Sequence, residues 1–300
     1  MNRTLLAWEE LSQNLALNDI SEHFRFIVSS LKQYLVDTVE HLTLATALYI
    51  VICITLYYCI VKWKLFVYNR DPRNAKRILF IIAHPDDECM FFGPTILNFT
   101  KRDNCLVYLM CLSTGRNYGM GSIRKNELYN SCKVLGIKPC NIFIHNHSNL
   151  PDAMDVRWPT ELLSRLISQY IDSLNITTVV TFDRYGVSNH CNHSCIYYAV
   201  ASLILDRRLP RGCGVYVLET VNILRKYWLL LDIPLSFIFS RFRYMGGFED
   251  RKILHRAMNQ HKSQLVWFRR IYMYFSRYML INSLQQMNLV DIELDLEIED

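Results

Sequence analysis

Apolar positions along this chain recur on several different spacings, and each spacing predicts a different kind of element. Over the first forty residues Leu5, Leu6, Trp8, Leu11 and Leu15, then Phe24, Ile27, Val28, Leu31 and Leu35, recur at helical spacing. Such a helix suits a membrane surface or a partner protein, and no chemistry is visible in it. Residues 42–61 are uninterrupted by charge, a length that crosses a hydrocarbon core of about 30 Å as a helix. A buried core helix is the alternative. A cleaved signal peptide fits less well, because the stretch starts late and lacks a small-residue cleavage site. Farther on, short apolar runs that read as buried strands (78–82, 106–112, 141–145, 177–182 and 214–219) alternate with helical patterning (91–100, 122–135, 159–174 and 193–205). This alternation predicts an α/β fold: a Rossmann-like, mainly parallel sheet flanked by helices, with an N-terminal transmembrane helix.

The pattern divides the chain into a helical extension (1–41), a transmembrane helix (42–61), a basic linker (62–76), one α/β domain (77–290) and an acidic tail (291–300). Two late segments stand apart. Residues 227–242 are rich in Leu, Ile and Phe but are broken by Asp232 and Pro234, which predicts a loop or helix dipping into a bilayer interface rather than a second span. Residues 265–281 mix Trp267, Phe268, Tyr272, Tyr274, Phe275 and Tyr278 with Arg269, Arg270 and Arg277. That mixture suits a membrane interface, and suits better an amphipathic helix packed on the sheet.

Chemistry concentrates at two strand ends. The run Ile78-Leu79-Phe80-Ile81-Ile82 leads directly into Ala83-His84-Pro85-Asp86-Asp87-Glu88. One imidazole and three carboxylates within a few residues suit a divalent metal, with His84 offering nitrogen and Asp87 oxygen. The alternative is a helix start whose acidic residues are favoured by the helix dipole. The run 177–182 leads into Asp183-Arg184-Tyr185-Gly186-Val187-Ser188-Asn189-His190-Cys191-Asn192-His193. His190 and His193 are close enough to face one pocket, and both clusters belong at the edge of an open α/β sheet where ligands bind.

Together these motifs resemble the PIG-L/LmbE family of zinc-dependent N-deacetylases, most closely its membrane-bound eukaryotic branch. Leu112-Ser113-Thr114-Gly115, Arg124-Lys125-Asn126-Glu127-Leu128 and Ala257-Met258-Asn259-Gln260-His261-Lys262-Ser263-Gln264 also resemble family segments. The resemblance runs over about 77–287. It implies that His84, Asp87 and His193 bind Zn2+ and that a water completes the coordination. Asp86 is then the general base, and His190 the donor that stabilises the oxyanion of a tetrahedral intermediate. The family's bacterial members often carry aspartate at the position held here by Asn192, which predicts a weaker polarisation of the histidine pair. Arg124 is open between contact with substrate phosphate or hydroxyls and an exposed helix arginine. Glu88 reads as a supporting hydrogen-bonding group, and Asp183 as the residue that orients the second loop.

Charge orients the membrane segment. Lys62, Lys64, Arg70, Arg73, Lys76 and Arg77 follow it, whereas the residues before it are predominantly acidic, so the positive-inside rule puts the α/β domain in the cytosol. The sequons at Asn98, Asn146, Asn175 and Asn192 then remain unmodified. Ten cysteines without a Cys-x-x-Cys pair predict reduced thiols, with Cys191 and Cys195 packed rather than metal-bound. A net charge of +5 makes no case for nucleic acid and fits an anionic membrane leaflet. No internal repeat and no Gly-rich nucleotide loop appears.

The resulting expectation is a single-pass protein of the endoplasmic reticulum membrane with a cytosolic catalytic domain. By resemblance it removes acetate from N-acetylglucosaminyl-phosphatidylinositol in glycosylphosphatidylinositol (GPI) anchor biosynthesis. Deacetylation of another N-acetylglucosamine conjugate is the alternative within enzymes, and a catalytically inactive membrane adaptor the alternative outside them.

Overall fold

Five apolar residues after Arg77, Ile78 to Ile82, form the central strand of the molecule because their side chains can be buried on both faces of a sheet. The computed structural model describes residues 2–63, 75–115, 119–290 and 292, with side chains from Glu22 onward. Most of the basic linker and nearly all of the acidic tail lie outside the described residues. The chain resolves into two units, 1–52 and 53–300.

In the first unit the predicted extension and the start of the predicted span are not separate elements. A single helix, Asn2–Trp63, begins there and ends in the second unit. Its described portion from Glu22 to Trp63 is long and apolar enough to cross a membrane. Its last turns belong to the second unit, where Leu56, Tyr57 and Ile60 pack with Leu229, Ile233 and Leu280.

The second unit is built on seven strands: β1 Arg77–Ile82, β2 Leu106–Cys111, β3 Ile142–Ile144, β4 Thr178–Phe182, β5 Gly214–Leu218, β6 Phe242–Met245 and β7 Ile281–Gln286. Their order is β3-β2-β1-β4-β5-β7-β6. The first five are parallel, as near-continuous apolar runs buried on both faces require. Helices Gly93–Thr100, Gly121–Leu135, Thr160–Ser173 and Cys191–Leu205 connect them in turn. Thr160–Ser173 packs on Cys191–Leu205, and Gly121–Leu135 on Phe248–Met258. The alternation read from the sequence is thus the observed one, with boundaries moved by one or two residues.

Strands β1 and β4 are neighbours with Leu79 beside Val179 and Phe80 beside Val180, yet they are separated in sequence by β2 and β3. Strand order reverses between them, which makes the space beyond their carboxyl ends the topological switch point of the sheet. Both polar clusters start there.

Strands β6 and β7 add an antiparallel edge that the apolar pattern does not reveal. Residues 265–281 accordingly fold as a nine-residue helix, Trp267–Phe275, a 3-10 turn, and the start of β7. Residues 227–242 are likewise broken, into a turn over Leu229–Asp232 and the short helix Ile233–Phe239. Asp232 interrupts that apolar stretch for a structural reason: it is fully buried and paired with Arg277 at 2.7 Å and with Arg225 at 2.6 Å. All ten cysteines are free thiols.

Candidate active site

The chain turns sharply after β1, and the turn is built by its own carboxylates. Asp87 reaches back so that Oδ2 accepts the N–H groups of Ala83 at 3.1 Å and His84 at 2.8 Å. Asp86 takes φ 113°, a conformation that L-residues rarely adopt, and its N–H donates to Glu88 Oε2 at 3.0 Å. Glu88 is fully buried; its Oε1 also accepts Ser131 Oγ at 2.5 Å and lies 2.7 Å from His261 Nε2. Burial pushes the Glu88 carboxyl up, but the charge and hydrogen bond of His261 outweigh it and hold Glu88 below its ordinary value. The late segment is therefore a brace under the first motif. Ser263 repeats the arrangement one turn away, donating its N–H and hydroxyl to Glu127.

Asp183 organises the second loop. Its carboxylate accepts the N–H groups of Tyr185, Gly186 and Thr220 and the hydroxyl of Thr220. Gly186 and Val187 both take φ 60°. A Cβ on Gly186 would stand 2.7 Å from the Cβ of His193, so glycine is required for the histidine to sit where it does. The Gly186 carbonyl lies 2.9 Å from His193 Nδ1 and accepts its proton, leaving the lone pair of Nε2 for another partner.

The two loops meet at His84, Asp87 and His193. Asp87 Oδ2 lies 3.4 Å from His193 Nε2 and 3.8 Å from His84 Nδ1, and one ligand atom from each residue falls within 4.8 Å of the others. His193 Nε2 is buried and has no hydrogen-bond partner. The other nitrogen of His84 lies 3.2 Å from Asp152 Oδ1 and 3.2 Å from the Asn192 side-chain amide nitrogen, contacts that orient the ring with Nδ1 toward Asp87. Each histidine is thus held by a partner on the ring nitrogen that faces away from the cluster, an arrangement typical of metal ligands. Electrostatics agree. Burial, opposed by Asp87, pushes His84 down to about 3, so its ring is neutral. Asp87 resists its own burial because the neighbouring charges of His193, then His84, hold it far below the ordinary carboxylate range. Burial lowers His193, but Asp87 outweighs it and the net shift is upward. A buried His-Asp-His set with an orphaned nitrogen is suited to a divalent cation and ill-suited to remaining bare.

Asp86 and His190 stand beside this cluster without joining it. Both line a cavity of about 520 Å³ together with Met120, Arg124, Asp152, Phe268 and Arg269. Burial raises Asp86 to about 6, against the opposing charges of Arg269 and Arg124. Arg269 Nη1 lies 3.0 Å from its Oδ2, and Arg124 Nη2 3.9 Å. His190 caps the helix Cys191–Leu205 by accepting the Asn192 N–H at Nδ1, which assigns its proton to Nε2. Burial and then the charge of His193 lower its pKa, favouring a neutral ring that donates.

The sequence-predicted residues His84, Asp86, Asp87, His190, His193 and Arg124 therefore all reach one cavity. Arg124 is neither exposed nor fully available. It is buried on Asp152 at 2.8 Å and the Pro85 carbonyl at 2.9 Å, so much of its guanidinium secures the first loop. Asn192 is fully buried with its amide on the Pro151 carbonyl and 3.2 Å from His84 Nε2, so its side chain serves the first loop rather than polarising His190. Asp152 and Arg269 were not assigned to the site by sequence reasoning: Asp152 lies in a segment without a motif, and Arg269 stands out only as part of an arginine and aromatic mixture. His261 lay within a family-like segment that carried no role.

Residues 79–204 match the family model described as PIG-L: GlcNAc-PI de-N-acetylase, a span that holds both loops. The N-acetylglucosaminyl-phosphatidylinositol de-N-acetylase of Bos taurus is 46% identical over 214 residues, covering 71% of this chain and 84% of that protein. A probable N-acetylglucosaminyl-phosphatidylinositol de-N-acetylase of Dictyostelium discoideum is 35% identical, covering 72% of this chain and 96% of that protein. Among solved structures, the N,N'-diacetylchitobiose deacetylase of Pyrococcus horikoshii shares the fold with a TM-score of 0.57 at 15% identity, over 79% of this chain and 92% of that one. Two loops that converge at the switch point, inside the matched span of a chain this similar to its relatives over most of their length, make this protein a member of the PIG-L de-N-acetylase family.

Proposed function

We propose that this chain hydrolyses the acetamide of N-acetylglucosaminyl-phosphatidylinositol, a step of GPI-anchor biosynthesis, using Zn2+ held by His84, Asp87 and His193. The observation that carries the reading is the division of labour within one cavity: three inward-facing ligand atoms, and beside them the Asp86 carboxylate and the His190 imidazole, which are not members of that triad. The metal supplies Lewis acidity that lowers the pKa of a water and polarises the acetamide carbonyl. Asp86 then takes the proton of the attacking water as its oxygen bonds to the acetyl carbon. The Nε2–H of His190 donates to the carbonyl oxygen as negative charge develops there. When the C–N bond breaks, Asp86 returns a proton to the departing amine, and acetate and the glucosaminyl lipid leave. Arg269 holds Asp86 toward the cavity, and Arg124, paired with Asp152, secures the loop beside it.

Metal analysis and acetate release on purified full-length protein test this assignment. His84→Ala, Asp87→Ala and His193→Ala should each lose bound zinc along with activity. Asp86→Asn should keep the metal while turnover falls by about 10²–10⁴. Full zinc content in the three ligand variants, or near-normal turnover without the Asp86 carboxylate, would overturn it. Acetate released only from a different N-acetylglucosamine conjugate would redirect the substrate.

The N-terminal apolar helix associates the chain with a membrane, and the pathway implies the endoplasmic reticulum. The basic flank at Lys62 and beyond supports a cytosolic catalytic domain. Asn146 and Asn175 are exposed and serve as reporters. Protease added to intact microsomes should digest the domain, and glycan on either asparagine would reverse the orientation.

A further inference from the structure

The helix Trp267–Phe275 is amphipathic in the wrong sense for a soluble protein. Only Tyr272 and Met273 are buried, whereas Trp267 is 73% exposed and Phe268, Ile271 and Phe275 lie with it on the outer face. The patch does not end with this helix. Tyr227 meets Tyr272 edge-on at 6.4 Å, and the short helix Ile223–Tyr227 presents Ile223 and Leu224, which are 72% and 63% exposed. Contiguous exposed apolar surface of this kind marks a contact site.

Three observations select its occupant. First, the patch borders the reaction: Phe268 and Arg269 line the catalytic cavity, so whatever covers the helix lies at the cavity mouth. Second, the patch is continuous with the place where the apolar N-terminal helix meets the catalytic unit. Tyr57 of that helix packs edge-on against Phe248 at 5.9 Å, and a groove runs from Phe248 past Arg251 and His255 to Tyr274. Third, cations fringe it, with Arg256 and Arg270 exposed beside the aromatic residues. Aromatic and aliphatic side chains edged by arginines match the boundary between acyl chains and headgroup phosphates.

We propose that Ile223, Leu224 and the outer face of Trp267–Phe275 form a lipid-contact surface that seats the catalytic unit on the bilayer with its cavity opening at headgroup level. The consequence for catalysis rests on the glycolipid reading above: a substrate whose acyl chains stay in the membrane then reaches the cavity by lateral diffusion.

The test uses the full chain in phospholipid nanodiscs at one copy per disc. An environment-sensitive fluorophore on Ile271→Cys is compared with the same labelling of the unsubstituted chain as background. Phosphatidylcholine with brominated acyl chains should quench the added fluorescence. An unquenched label refutes the proposal, and a label shielded without bromolipid quenching assigns the surface to a protein partner or a second copy instead. This readout needs no turnover, so it stands even if the glycolipid is not the substrate. In kinetics, Ile271→Glu/Phe275→Glu should slow hydrolysis of membrane-embedded glycolipid by at least about tenfold, while hydrolysis of a water-soluble headgroup analogue stays within about twofold. Equal effects on both substrates would overturn the kinetic consequence.

Discussion

Asp86 is asked to be two things at once, a buried group and a charged one. Burial lifts it to about 6, and Arg269 at 3.0 Å is the first of the charges that oppose the rise. The proposed general base must be ionised, so activity should fall as pH drops through the folded value. Replacing Arg269 by Gln removes an interaction that favours the carboxylate, and the acidic limb of kcat/KM should move to higher pH. A bound cation lowers both values alike, so the difference between the two enzymes is the readout. An unchanged limb would mean that another group sets the profile. At this scale the sequence was informative where several chemical groups share one strand end: His84, Asp86, Asp87, His190 and His193 stand out because no packing argument explains them. Asp152 and Arg269 act through the same cavity but come from separate segments without a motif, Arg269 beside an equally charged Arg270, so no spacing singles either one out.

Elements carry the next level of control. The loop after β4 holds His193 through the Gly186 carbonyl and the close approach of Gly186 to the histidine Cβ. Gly186→Ala adds an unfavourable backbone conformation, about 1–2 kcal/mol, and pushes His193 away. Zinc affinity should therefore fall while the folded domain persists, which metal titration alongside circular dichroism would separate; undiminished affinity would show that the loop yields. The five parallel strands were legible because being buried on both faces demands uninterrupted apolar runs. β7 was not, since Asn282 and Ser283 are polar at fully buried positions. They are tolerated because Asn282 bonds Thr95 and the Phe91 carbonyl, and Ser283 bonds Arg277. Such bonds depend on partners roughly 190 residues away for Asn282 and on a buried arginine for Ser283, which no local pattern encodes.

For the whole molecule, the end of the N-terminal helix belongs with the catalytic unit. Ile60 packs with Ile233 and Leu280, so a truncation meant to free the enzyme from its anchor should stop at residue 52. Deleting 1–52 should weaken hydrolysis of embedded glycolipid and spare a soluble headgroup analogue, an effective-concentration effect. Deleting 1–63 should in addition lower Tm, because losing a buried Ile alone costs about 2–5 kcal/mol. Equal melting of both truncations would remove the helix end from the folded unit.

On the proposed cytosolic topology, the buried Asn192 has a consequence for chains that enter the membrane backwards. Its Asn-His-Ser sequon is read while the polypeptide is still unfolded, and a glycan attached then could not be accommodated at a fully buried position against His84. A misinserted molecule would thus be disarmed before it folds, and stray activity on the lumenal side would be prevented by the site's own packing. Forcing the reverse insertion with an added signal sequence should yield a chain glycosylated at Asn192 that binds no zinc. Ser194→Ala, which abolishes the sequon and leaves Asn192 in place, should restore binding; failure to do so would mean that the safeguard lies elsewhere.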